Sequence, residues 1–181
     1  MATVSVRWPC LTQVVGPNNN MHTPTQADKN AALRAVTYDA AVLAMALHNL
    51  RTPRSNFLGR GTDQLAVESA LLKFRSLYDF LTSSKKNRDD ILIAELGGTA
   101  APFPAPIERF RESVNKYSAH LTWQRVVKDP AIAEFPRPSK ILERSPEVLQ
   151  RSKAFIESCL TSGFELNSYG KKYLSVLRRY T

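Results

Sequence analysis

An all-α fold is predicted by three observations. Apolar residues recur three and four apart through several long stretches, no run alternates apolar and polar residues as a half-buried strand does, and Pro and Gly cluster between those stretches. With 181 residues, 43% of them hydrophobic and 23% charged, the chain can build one core. The expected architecture is a single bundle of four or five helices without a sheet over residues 23–181, behind a flexible arm of residues 1–22.

The arm ends in Gly16-Pro17-Asn18-Asn19-Asn20, which has too little apolar surface to offset the entropy of ordering it; Met21 is a second candidate start. Residues 1–15 carry one Arg, a Pro at position 9 and no sustained apolar segment, so a secretion signal is not expected and the chain reads as cytoplasmic. Thr23-Pro24-Thr25-Gln26 reads as a helix entry, with Thr23 as cap and Pro24 in the first turn. The helix it starts runs to about Leu50 and turns Leu33, Val36, Ala40, Leu43, Leu47 and Leu50 to one face. Pro53, Gly59 and Gly61 mark a loop, and Thr62 is expected to cap a second helix to about Ser83, with Val67, Leu71, Phe74, Tyr78 and Leu81 inward. A polar turn over residues 85–90 leads to a short apolar helix at Ile91 to Leu96, closed by Gly97-Gly98, and then to a Pro-rich extended connector. The third long helix carries Ile107, Phe110, Val114, Tyr117 and Leu121 on its core stripe. After a loop punctuated by Pro130, Pro136 and Pro138, Ser145-Pro146-Glu147 is expected to restart a helix that faces Leu149, Ile156 and Leu160 inward until Gly163. A last helix over 171–180 turns Leu174 and Leu177 inward and Lys171, Lys172, Arg178 and Arg179 outward.

Lys and Arg number 25 against 16 Asp and Glu, a formal charge of +9 that attracts polyanions and makes RNA a candidate partner. No apolar run approaches the roughly 18 residues that mark a membrane span. Cys10 and Cys159 suggest no disulfide framework, no His or Cys pair has ligand spacing, and Gly59-Arg60-Gly61 and Gly97-Gly98 lack the rest of a phosphate loop; neither metal nor cofactor is expected.

The chemistry-bearing stretch is Asn115-Lys116-Tyr117-Ser118-Ala119-His120, on the third helix. His120 falls at the edge of the core stripe with Lys116 one turn earlier on the same side, so an acid or base stands beside a phosphate-holding cation; Asn115 lies on the opposite flank. A site that uses both flanks needs a second helix or a second subunit. In the second helix Glu68, Arg75 and Asp79 align in a narrow band between the core stripe and an apolar sector of Leu65 and Leu72, either as a salt-bridge ladder or to orient His120. Lys171, Lys172, Arg178 and Arg179 fit a solvated face or an RNA contact, and Tyr169, Tyr173 and Tyr180 either stack on bases or pack. His22 and His48 are read as surface residues.

Residues 115–122, Asn-Lys-Tyr-Ser-Ala-His-Leu-Thr, resemble the Asn-Lys-x-x-Ala-His core of HEPN-like bacterial proteins, including those tied to abortive infection and toxin systems. Glu68-Ser69-Ala70-Leu71-Leu72, Arg75, Leu77 and Asp79-Phe80-Leu81, with Asp89-Asp90 beyond, resemble the helix that precedes that motif, and the likeness spans roughly residues 27–122. The resemblance implies an all-α bundle, a homodimer whose motif helices meet across the axis, and in active members a metal-independent endoribonuclease, with an antitoxin protein as a possible partner. Active members carry an Arg separated from the His by four to six residues, and here Ser113, Val114 and Asn115 occupy those places. Arg111 is the nearest Arg before His120, half a turn away around the helix; it is a candidate to reach a second subunit, while Arg75 or Lys116 could supply the cation instead. The expected activity is therefore RNA binding or weak RNA cleavage, and the alternative is a non-catalytic dimeric interaction module of a defence or stress operon.

Overall fold

Thr25 opens the first helix with a reciprocal cap. Its Oγ1 accepts from the Asp28 amide at 3.2 Å and its own amide donates to Asp28 Oδ2 at 2.9 Å, so two of the donors a helix start leaves unpaired are satisfied. The entry therefore lies two residues later than a Thr23 cap would place it. The computed structural model describes residues 23–52, 59–83, 91–118 and 137–181. Within them the chain is an all-α bundle: α1 (Gln26–Arg51), α2 (Gly59–Thr82), a 3₁₀ turn (Ile93–Leu96), α3 (Ala105–Ser118), α4 (Pro138–Thr161) and α5 (Ser168–Tyr180).

α1 is central and packs against α2, α4 and α5. Its Leu33, Leu43 and Leu47 are buried, and Ala40, Ala41, Ala44 and Ala46 beside them let neighbouring helices come close. A single apolar cluster joins all five helices and the 3₁₀ turn, with Phe74 of α2 edge-on to Phe110 of α3 at 5.0 Å between ring centroids.

The starts of α2 and α4 also differ from expectation. α2 includes Gly59 to Thr62, so Thr62 is not its cap; amides in a first turn need no intrahelical acceptor, and glycine is tolerated there. α4 begins at Pro138, after Arg137 as N-cap, and runs straight through Ser145-Pro146. Proline at 146 removes one amide that would bond to Leu142, but Ile141 on one side and Val148 and Leu149 on the other are all buried and hold both halves to one seam.

The 3₁₀ turn closes where Gly97 takes φ +81°, a left-handed conformation open to glycine. Gly98 is needed for a different reason: a Cβ there would stand 2.6 Å from both Ile93 and Phe155. The connector that follows is held to the body by Arg151, whose Nη1 donates to the Pro102 carbonyl at 2.9 Å and whose guanidinium covers the Phe103 ring at 4.1 Å. Asn167 caps α5 by accepting from the Gly170 amide at 2.9 Å. No described helix is long and apolar enough to cross a membrane.

Candidate functional site

α2 and α3 bring three of the expected residues together, two of them around the carboxylate of the third. Asp79 Oδ1 accepts from Arg111 Nε at 3.0 Å and Nη2 at 2.7 Å, while Arg75, one turn earlier on α2, places its Nε 3.7 Å from Oδ2. Two guanidinium groups thus share a single carboxylate. The cluster lines a cleft of about 970 Å³, walled on the connector side by Phe103 and on α2 by Tyr78, whose rings stack with centroids 5.1 Å apart.

The charges lining this cleft nearly cancel, with Asp39, Asp79 and Glu108 opposite Arg75 and Arg111. It is not by itself a cradle for a polyanion. Burial first, and then the nearby Glu108 carboxylate, push the Tyr78 phenol above its ordinary value. Asp39 is held on both oxygens, by Lys73 Nζ at 2.6 Å and by the Ser76 hydroxyl donating at 2.6 Å, which ties α1 to α2. Cys159 offers no nucleophile: it is buried, and burial pushes its thiol up to about 11.

The remaining expected residues do not converge there. Glu68 is exposed on α2, two turns before Arg75, and the neighbouring Leu65 and Leu72 are 64% and 57% exposed, so the band lies at the solvent edge instead of between two packed faces. Lys116 is exposed on α3. Asn115 is half-buried, with Oδ1 shut off from water and accepting no hydrogen bond from a described residue. His120 and His22 lie outside the described residues. His48 is exposed, as expected, and its ring lies 4.7 Å from that of Tyr180.

α5 places its four cations on the surface, but not in one state. Arg178 is committed to Glu157 of α4, donating from Nε at 2.9 Å and Nη2 at 2.8 Å, and this pairing holds the Glu157 carboxyl below its ordinary value. Lys171, Lys172 and Arg179 are exposed and make no ion pair within the described chain. Sequence reasoning missed Tyr38, which is 42% exposed and edge-on to Tyr173 at 5.1 Å. A signal for it existed, since at about 100° per residue Tyr38 points roughly 140° away from the core residue Leu33. The Arg111 partner was not findable that way, because Asp79 sits 32 residues away on another helix.

Comparison of the chain with protein-family models, with curated proteins and with solved structures finds no match.

Proposed function

We propose that this chain is an RNA-binding helical bundle, of the HEPN-like kind its second and third helices resemble, with α5 supplying the contacting cations. One observation carries the reading: Lys171, Lys172 and Arg179 stand exposed, without an ion pair to any described residue, on a single helix of a chain whose formal charge is +9. Each phosphate contact of a single strand releases condensed counterions, so log affinity falls with log salt by about 0.7 per contact. Replacing all three cations by Ala should flatten that dependence by about 2 units of slope. Equal slopes for parent and triple variant would remove the reading.

The catalytic version of the same function is a metal-independent endoribonuclease of a toxin or defence system. In it His120 takes or gives the proton at the ribose 2′-hydroxyl or the leaving oxygen, and a cation stabilises the charge that develops on the phosphate. Arg111 is bound to Asp79 by two short hydrogen bonds and Arg75 stands further off at 3.7 Å, so Arg75 and Lys116 are the cations proposed for that task. Cleavage of mixed single-stranded RNAs in EDTA that disappears in His120→Ala supports this version; cleavage unaffected by the substitution, or none by the parent, removes it.

A second reading is a non-catalytic homodimeric interaction module. The exposed Leu65 and Leu72, alternating with Glu68 and Arg75 on the outer face of α2, favour it. Leu72→Glu should then lower the dimer's sedimentation coefficient to that of a monomer, and a parent that already sediments as a monomer counts against this reading.

A further inference from the structure

The seam between α1 and α5 carries a line of aromatic rings. Asn30 Oδ1 accepts from the Glu165 amide, Tyr38 meets Tyr173, and His48 meets Tyr180, so residue numbers rise together and the two helices run parallel. Tyr169, one turn before Tyr173 on α5, is 67% exposed, and Tyr38 is 42% exposed. At about 100° per residue the three α5 tyrosines at 169, 173 and 180 fall within about 40° of one another, on the flank that faces α1. Lys172 and Arg179 form a second line, roughly 90° further toward solvent on the same side of the helix. Arg178 lies on the opposite flank, where Glu157 of α4 takes it.

We propose that this seam is a stacking platform for single-stranded RNA, with Tyr38 and Tyr169 offering ring faces to unpaired bases and with Lys172 and Arg179 holding the strand's phosphates. The inference rests on the RNA-binding reading and names the form of RNA. Rings beside exposed cations match a single strand, which presents both π-faces and a charged backbone; a duplex hides its base faces in its own stack. The cations that border the seam have no carboxylate partner: Lys172 and Arg179 make no ion pair within the described chain, and Arg179 lies 5.7 Å from the Tyr180 ring centroid. Lys73, by contrast, is engaged by Asp39 at 2.6 Å and sits 5.1 Å from the Tyr38 ring centroid, so it props that ring in place.

The test is fluorescence anisotropy with a short labelled oligouridylate and with a blunt RNA duplex of the same length. The parent should bind the single strand more tightly than the duplex. Tyr169→Ala should weaken single-strand binding by about tenfold, in line with the loss of one base stack, and leave duplex binding unchanged. Tyr169→Trp should restore the affinity. Because Tyr169 is mostly exposed, neither substitution threatens folding. Equal affinity for strand and duplex, or a Tyr169→Ala variant as tight as the parent, overturns the platform while salt-dependent RNA binding through α5 stands. A parent that binds neither RNA overturns both.

Discussion

Asp79 holds two guanidinium groups at once, and its own side chain is 38% exposed. Removing its charge leaves Arg75 and Arg111 facing one another across the α2–α3 contact. Partial exposure limits the effect through solvent screening, so Asp79→Asn should cost about 1 kcal/mol of stability, seen as a lower urea midpoint and as a difference from the parent that narrows with added salt. A variant as stable as the parent at low salt would show that the cluster contributes nothing to the fold. Tyr78, beside it, answers to pH in the opposite range from the bundle's carboxylates. Its phenol is raised by burial and by Glu108, so the neutral form is the one the fold favours. That contribution is fully present below the ordinary phenol value of about 10 and is lost as pH climbs through the raised one. Tyr78→Phe, followed by urea unfolding at rising alkaline pH, should therefore lose stability less steeply than the parent; parallel declines would exclude Tyr78 as the group responsible.

Helices are where sequence and structure agree most closely and also where they part. The core stripes of α1, α2 and α3 were legible because burial along a helix follows from its own period, and Leu33, Leu43, Phe74, Phe110 and Val114 are all fully buried. Which helix lies beside which is not written in that period. For that reason the Asp79–Arg111 and Tyr38–Tyr173 contacts, each joining distant segments, emerged only from the packed chain. Ser145-Pro146-Glu147 was misread for a related cause: Ser followed by Pro is the chemistry of a helix start, but the same pair fits mid-helix when apolar neighbours on both sides are buried together. The candidate site was legible as residue types, and Glu68, Arg75 and Asp79 do share a face of α2, yet the partner that organises it, Arg111, sits on α3. The continuity of α4 has a measurable cost at position 146. Pro146→Ala would restore an amide donor for Leu142 and remove the ring's crowding of that turn, and should stabilise the protein by about 1 to 3 kcal/mol, with a higher Tm. No gain would mean that the helix has already relaxed around the ring.

At the scale of the molecule, α5 decides whether the bundle unfolds as one body. Its Leu174 and Leu177 join the same apolar cluster as Leu33 of α1, Phe74 of α2, Phe110 of α3 and Ile156 of α4, and Leu177 is fully buried. If α5 were an appendage, truncating Leu177 would fray that helix alone, and helicity would fall ahead of tertiary structure. Membership of one cluster predicts the other behaviour. Leu177→Ala removes about three methylene-sized groups from a filled position and leaves a cavity that neighbours on α1 can only partly close, at a cost of about 2 to 5 kcal/mol. The cost falls on the whole bundle, so far-ultraviolet circular dichroism and near-ultraviolet signals from the buried aromatics should shift to lower urea together and stay coincident. Separation of the two transitions would show α5 to be an independent unit. Coincidence matters for the RNA proposal as well: the rings of the α1–α5 seam hold their positions only as long as α5 is docked, so weaker RNA binding by Leu177→Ala should track the fraction unfolded and vanish under conditions where the variant is fully folded.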